Sequence, residues 1–337
     1  MRKLLVTGGA GFIGSNFIRM VLAEHNDCFV VNLDKLTYAG NLENLAGLEN
    51  HPNHKFVRGD ICDGPLVDKL IDQYKIDSIV NFAAESHVDR SITEPKVFIE
   101  TNVTGTLTLL EAAREKKLER FVQISTDEVY GSLGPQGKFT EQTPLSPNSP
   151  YSASKTAADH LVKAFGHTWG LRFNITRCSN NYGEYQFPEK MIPLMINNAL
   201  NDKELPVYGD GLNVRDWLYV YDHCTAIWKV LTQAQPGEIY NIGGCNEKTN
   251  LEVVGLILNK LNKPKSLIRY VKDRPGHDRR YAIDAGRIMS ELGWQPSVSF
   301  DEGIVKTINW YLQNQKWLRN VVSGEYQKYY EAMYSNR

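Results

Sequence analysis

Gly8-Gly9-Ala10-Gly11-Phe12-Ile13-Gly14 follows an apolar run at residues 3–6 and opens a stretch of helical periodicity over 13–23. Gly9, Gly11 and Gly14 satisfy G-x-G-x-x-G, while Gly8, Gly11 and Gly14 also give G-x-x-G-x-x-G. In such a strand-to-helix turn the missing side chains let backbone approach a pyrophosphate, and the N–H groups of the helix start hold its charge. The glycines alone suit a tight turn without a ligand equally well. Asp34 changes that balance, because it ends the next apolar run, 29–33, about 20 residues beyond Gly14. A carboxylate there accepts from both ribose hydroxyls and repels a 2′-phosphate, so NAD is expected rather than NADP. After a third run at 55–57, Asp60-Ile61 reads either as an adenine contact or, for Asp60, as the cap of the following helix.

Outward from this turn, short apolar runs at 78–82, 121–125 and 173–178 continue the series. Helical stretches at 65–73, 97–117 and 151–169 lie between them. Alternating strands and helices, with strands too apolar for a wet face, imply an α/β, doubly wound parallel sheet of Rossmann type. After about residue 187 the rhythm loosens into helices at 191–200, 222–231 and 301–313, joined by Pro/Gly-rich loops at 208–211 and 274–276. We read residues 1–186 as the dinucleotide-binding domain carrying the chemistry. Residues 187–337 are then a smaller C-terminal substrate-binding lobe, with return segments to the first domain allowed. The aromatic stretch 317–334 reads as a docking helix.

A chain of 337 residues buries a sizeable core. Its 38 Lys and Arg against 39 Asp and Glu leave a formal charge of −1, so no overall field draws it to nucleic acid or an anionic membrane. Cys28, Cys62, Cys178, Cys224 and Cys245 form no C-x-x-C and are expected to be reduced core thiols, with no metal site. The apolar stretch behind Arg2 and Lys3 is too short for a signal peptide. No run approaches the roughly 20 apolar residues of a membrane span. A soluble, cytoplasmic protein is expected.

The chemistry gathers where strands end. Ser125-Thr126-Asp127-Glu128-Val129-Tyr130-Gly131 closes the fifth run with a hydroxyl and two adjacent carboxyls. Neighbouring carboxyls in different environments hold different protonation states, which lets one site give and take protons. A solvated acidic loop is the bland alternative. Tyr151-Ser152-Ala153-Ser154-Lys155 puts a phenol and an ammonium one helical turn apart on one face. A nearby cation favours the phenolate of a group with an ordinary pKa of about 10. That pair then deprotonates a sugar hydroxyl.

Taken together, the glycine turn, Asp34, Thr126 and the Tyr151/Lys155 pair resemble the extended short-chain dehydrogenase/reductases. Within them, the 125–131 motif, Ala83-Ala84-Glu85-Ser86-His87-Val88-Asp89-Arg90-Ser91 and Asn180-Asn181-Tyr182-Gly183 resemble the dTDP-glucose 4,6-dehydratase family. The likeness runs over residues 1–310. Its most specific part is the acid pair, since the related 4-epimerases carry small residues there. The resemblance implies conversion of dTDP-glucose to dTDP-4-keto-6-deoxy-glucose and water, with C4 oxidised by NAD, water lost across C5 and C6, and hydride returned to C6. NAD is then a tightly held group regenerated each turn. Tyr151 takes the 4-hydroxyl proton, Thr126 hydrogen-bonds that hydroxyl, Glu128 removes the C5 proton, Asp127 protonates the leaving 6-hydroxyl, and Lys155 holds the ribose and lowers the phenol's pKa.

The same resemblance assigns the rest of the site. Gly8, Gly11, Phe12, Ile13, Gly14, Asp34, Lys35, Thr37, Asp60, Ile61, Phe82, Ala83, Ala84, Thr101 and Asn181 would surround the cofactor with Tyr151 and Lys155. Ser86 and Asn180 would meet the hexose beside Thr126, and Lys190, Met191, Pro206, Val207 and Tyr208 the nucleotide. Arg215, Asn250 and the loop Asp273-Arg274-Pro275-Gly276-His277 would take the diphosphate and nucleoside end, where guanidinium pairs with phosphate oxygens in a two-pronged fashion. Bland alternatives stand beside these: an Arg215-Asp216 surface ion pair, a solvated His277, Glu85 and His87 as supports of the loop, and Asp89 and Arg90 as structural residues. The segment 131–149 is short for the family. A homodimer through a four-helix bundle is implied, and the apolar content of 97–113 and 157–165 permits it. Competing readings are a UDP-sugar 4,6-dehydratase, a nucleotide-sugar 4-epimerase and a non-catalytic NAD-binding regulator.

Overall fold

The structure, a computed structural model, describes residues 1–273 and 276–322. The apolar runs form strands β1 (Arg2–Thr7), β2 (Cys28–Asp34), β3 (His54–Arg58), β4 (Ser78–Asn81), β5 (Arg120–Thr126) and β6 (Phe173–Cys178). They continue with β7 (Asn180–Tyr182), β8 (Leu205–Tyr208), β9 (Val214–Tyr219), β10 (Ile239–Ile242), β11 (Glu247–Thr249) and β12 (Ile268–Val271). Seven of them build one sheet in the order β10-β6-β5-β4-β1-β2-β3. Every pairing in it is parallel. The chain runs outward from β1 to β3 and then crosses back to β4, so the strand order reverses beside β1. Ligands of such sheets bind in the crevice this reversal opens at the carboxyl ends.

Helices cover both faces, which is why β4 and β6 are buried along their whole length. In chain order these are α1 (Phe12–Glu24), α2 (Gly64–Tyr74), α3 (Val88–Thr93), α4 (Pro95–Phe98), α5 (Thr106–Glu115) and α6 (Pro150–Trp169). There follow α7 (Met191–Leu200), α8 (Val220–Gln233), α9 (Asn250–Lys260), α10 (Gly286–Leu292), α11 (Phe300–Gln313) and α12 (Gln315–Val321). Phe17, Ile18 and Val21 of α1 pack with Cys224, Ile227 and Leu231 of α8 on one face. Leu70 of α2, Leu109 of α5 and Val162 and Phe165 of α6 fill the other. A third core, around Tyr182, Ile196, Trp217, Ile257 and Phe300, holds the smaller sheets β11-β9-β7 and β12-β8.

Three local expectations are corrected. The single helix over 97–117 is broken: α4 passes into a π-helical stretch, Ile99–Gly105, before α5 begins. The extra residue per turn points Asn102 inward, where Oδ1 accepts from Glu85 N at 2.9 Å and Nδ2 donates to Glu85 O at 3.0 Å and Ser154 Oγ at 2.8 Å. The strand expected to reach residue 82 stops at Asn81, and the short helix α3, with His87 at its cap, was not foreseen. Of the thiols read as core residues, Cys245 is exposed and Cys62 only half-buried. The chain also re-enters the large sheet late, because β10 pairs with β6 and α8 lies on α1. In the docking stretch 317–334, Trp317 is buried and donates from Nε1 to Asn44 Oδ1 at 2.8 Å. Residues 323–334 of that stretch lie outside the described residues.

No described helix is long and apolar enough to cross a membrane. At Gly14 a Cβ would overlap the carbonyl oxygen of Gly8 and crowd the Gly9 Cα. Backbone cannot step aside as a flexible side chain does, so Gly14→Ala should lower the unfolding free energy by about 1–3 kcal/mol. Urea denaturation checks this, and an unchanged midpoint would contradict the packing described for the turn.

Candidate functional site

The glycine turn is a cradle fixed from both sides. Gly8 has φ +69°, and a Cβ on it would sit 2.7 Å from Ala83 N after β4. Asp34 at the end of β2 bridges the turn to its own strand, accepting from Ala10 N at 2.9 Å and Leu36 N at 2.8 Å. Burial raises its carboxyl pKa, and these two N–H bonds oppose the rise. Gly11 caps α1 and no side chain satisfies that helix start. The N-terminal N–H groups are therefore presented as an anion-binding end.

The cradle opens into a cavity of about 290 Å³. Gly8, Gly11, Phe12, Ile13, Gly14, Asp34, Lys35, Thr37, Asp60, Ile61, Phe82, Ala83, Ala84, Thr101, Tyr151, Lys155 and Asn181, the whole expected cofactor set, line it. Glycines that admit no Cβ, an open helix start and a carboxylate at the β2 end fit a dinucleotide. Asp60 does not cap α2; Asp63 does, accepting from Leu66 N at 3.1 Å. Asp60 instead pairs with Lys35 at 2.6 Å and accepts from Cys62 N at 2.9 Å, and these contacts hold its pKa below the usual carboxylate range despite burial.

Thr126, Asp127, Glu128, Tyr151 and Lys155 meet at the inner end of the same cavity. Asp127 and Glu128 open a 3-10 turn, Asp127–Tyr130, with Thr126 as its cap, accepting from Glu128 N at 3.2 Å. Asp127 is 2% exposed and its Oδ2 is buried with no hydrogen-bond partner. Burial, with the charges of Glu128 and Asp216, pushes its pKa well up against the Arg215 charge and the Thr126 hydrogen bond, which favours the protonated form. The solvated-loop alternative fails on that burial.

Tyr151 and Lys155 lie on α6, whose start is fixed by Pro150 and a reciprocal Ser149/Ser152 capping box. Burial, then the Glu128 charge, raises the phenol's pKa well above its ordinary value, against the Thr126 hydrogen bond. The Lys155 ammonium donates to Ile124 O at 2.6 Å, and burial depresses its own pKa. With the lysine turned to that carbonyl, the site favours the neutral phenol, and positive charge entering the cavity would favour the phenolate.

A second cavity of about 160 Å³ adjoins the first through Glu128, Asn180, Glu189 and Lys190. Met191, Pro206, Val207, Tyr208, Arg215, Asn250 and His277 line it, and Ser86 lines the first cavity. Arg215 and Asp216 are both buried, so they are no surface pair. Arg215 donates to Val214 O at 2.8 Å and Asp278 O at 2.9 Å, and Asp216 accepts from Gly244 N at 2.9 Å and Asn246 N at 2.7 Å. His277 is not solvated: its side chain is 5% exposed and lies 2.6 Å from Asp273 Oδ1. Asp273 and Gly276 line neither cavity, and Arg274 and Pro275 lie outside the described residues.

Two residues missed by the sequence reading belong here. Glu189, buried and lining both cavities, faces Arg90 at 3.4 Å. Its signal was a lone carboxylate beside Lys190 at the start of α7. Tyr281 is 4% exposed with the Arg215 guanidinium 4.3 Å from its ring centroid. Bridges between residues 214 and 280 and between residues 139 and 283 bring it back, and no local pattern reveals them. Among the described residues no group of three or more His, Cys, Asp or Glu is placed to hold a metal.

The family model for GDP-mannose 4,6 dehydratase matches residues 5–307. A dTDP-glucose 4,6-dehydratase of Xanthomonas campestris pv. campestris (strain B100) is 56% identical over 344 residues, covering 97% of each chain. The crystal structure of dTDP-glucose 4,6-dehydratase from Bacillus anthracis, solved in complex with NAD, has a TM-score of 0.90 at 52% identity, over 95% of this chain and 100% of that one. A UDP-glucose 4-epimerase from Thermus thermophilus, also with NAD, shares the fold at TM-score 0.86 but only 31% identity, over 93% of this chain and 99% of that one. A buried Asp127 with Glu128 beside it in one cavity with Tyr151 and Lys155, and relatives matched over nearly their whole length, agree: the chain belongs to the 4,6-dehydratase family of extended short-chain dehydrogenase/reductases.

Proposed function

We propose that this chain converts dTDP-glucose to dTDP-4-keto-6-deoxy-glucose and water. The observation that carries the reading is the buried carboxyl of Asp127, its Oδ2 without a hydrogen-bond partner, beside Glu128 and lining one cavity with Tyr151. An oxidoreductase needs the Tyr/Lys pair alone; a lyase needs an acid and a base as well. The names of the relatives support thymidine over uridine.

NAD, when bound, supplies the oxidising power at C4, the reducing power at C6 and the positive ring that Tyr151 lacks, and is regenerated each turn. Tyr151 takes the 4-hydroxyl proton while Thr126 orients that hydroxyl. The resulting C4 ketone acidifies C5–H, which Glu128 removes. Asp127 gives its proton to the departing 6-hydroxyl, which leaves as water, and Glu128 returns its proton to C5 as C6 is reduced. Lys155 holds the ribose from the floor of the cavity. Residues 1–186 hold the cofactor and perform the chemistry, while residues 187–337 bind the nucleotide end, as the second cavity's lining supports. The protein works in the cytoplasm as a homodimer joined by a four-helix bundle of α5 and α6. Exposed Val97 and Ile99, leading into α5, support that face as the contact.

Incubation with dTDP-glucose, UDP-glucose and their N-acetylated relatives tests the function, with a base-stable 4-keto chromophore expected from dTDP-glucose. Formation of the 4-epimer without a keto sugar would overturn it. Tyr151→Phe should lower kcat by roughly 10²–10⁴-fold, the range of general acid–base contributions, and undiminished turnover would remove Tyr151 from the role. Glu128→Gln should still oxidise C4 yet stall before water loss, so reduced nicotinamide should accumulate on the enzyme after rapid mixing with substrate. Normal turnover in that variant would reassign the C5 base.

A further inference from the structure

Behind the reacting groups, lining neither cavity, runs a buried polar chain that the steps above do not use. Arg177 of β6, 2% exposed, donates from Nε to Asp159 Oδ2 at 2.9 Å and from Nη1 to the Tyr130 hydroxyl at 3.0 Å. That hydroxyl donates to Asn241 Oδ1 of β10 at 2.7 Å. The Asn241 amide donates onward to Phe139 O at 3.1 Å, and the Tyr130 ring stacks on Phe139 with centroids 5.0 Å apart. Asp159 and Asn241 are fully buried.

Arg177 joins two members of this chain that are rooted in elements carrying chemistry. Asp159 lies one helical turn beyond Lys155 on α6, so it shares the face of Tyr151 and Lys155. Tyr130 ends the four-residue turn that begins with Asp127 and Glu128. Stability alone explains Arg177 poorly. Desolvating a buried ion pair costs about as much as its attraction returns, and apolar replacements are often neutral. What the planar guanidinium does supply is two bonds in fixed directions, hence a fixed spacing between the elements it joins. Spacing matters here because a misplacement of about 1 Å in a reacting group costs on the order of 10²-fold in rate.

We propose that Arg177, with Asp159 and Tyr130, is a positioning brace that sets the Asp127/Glu128 turn against the Tyr151/Lys155 face of α6. One bound sugar then meets the oxidising and the eliminating groups without moving. The two ends are unequally secured. Helix α6 has its own capping box and the Lys155 bond to β5, whereas the four-residue turn is held by the Thr126 cap, the Ser146 N–H bond to Val129 O and the contacts of Tyr130 itself, of which the Arg177 bond is one. Loosening the brace therefore displaces the acid pair first and slows elimination more than C4 oxidation. This inference rests on the dehydratase reading of the site.

The test uses holoenzyme and two variants. Tyr130→Phe removes the hydroxyl and keeps the ring stack. Arg177→Lys keeps the charge, but an ammonium cannot reproduce the two-pronged geometry. In each, kcat for dTDP-glucose should fall about tenfold or more at unchanged KM. Reduced nicotinamide should build up in the steady state, a signature that the fall in melting temperature expected from unpairing buried groups does not itself produce. Wild-type kcat without accumulation in either folded variant would overturn the brace. So would a loss of rate that follows a loss of melting temperature and shows no accumulation. If Tyr130→Phe does not fold, Arg177→Lys decides. The unaltered protein is assayed first: absence of 4-keto product there sinks the dehydratase reading, whereas variants that match an active parent sink only the brace.

Discussion

Three side chains lock the middle of the large sheet in register. Thr7 at the end of β1 donates to Asn81 Oδ1 at 2.6 Å, and Asn81 at the end of β4 donates to Gln123 Oε1 of β5 at 2.9 Å. All three are fully buried. A parallel sheet buried on both faces has little alternation to tell one register from the next. A hydrogen-bonded polar ladder does tell them apart, because a one-residue slip would break these bonds between buried groups at a cost of about 1–3 kcal/mol for each group left unpaired. The ladder sets the ends of β1 and β4 level with Gln123, and β5 runs on beyond it to Thr126, so the glycine turn, the loop after Asn81 and the turn after Thr126 open onto one crevice.

The electrostatics of the site follow from how deeply that crevice is walled. Desolvation raises the pKa of Asp127 and of Tyr151, favouring their protonated forms, and lowers that of Lys155. For Asp127 this is the state an acid needs. For Tyr151 it is a resting state, left only when cationic charge arrives beside the phenol. The enzyme is thereby poised to deprotonate a sugar once its cofactor is seated. Arg177 contributes at one remove, through spacing rather than through charge in the cavity.

Much of this was legible in the sequence because the chemistry is local there. The glycine turn, Asp34, the Thr126-Asp127-Glu128 run and the Tyr151/Lys155 spacing each fall within one element or one junction, and all of them meet in one cavity. Asp60 was ambiguous because both of its readings are local, and the placement of Asp63 decides between them. Asn102 was hidden because a π-helical residue obeys neither helical nor strand periodicity. Tyr281 and Arg177 were hidden for a different reason: their partners lie far along the chain. The return of β10 to the large sheet was equally invisible, since a four-residue strand carries almost no pattern.

The central claim is that one cavity oxidises C4, expels water across C5 and C6, and reduces C6 with what was taken from C4. Turnover of dTDP-glucose deuterated at C4, with the product analysed by NMR, tests it most directly. The account predicts deuterium at C6 of the 4-keto-6-deoxy product. Deuterium washed into solvent, or still bonded to C4, would contradict it.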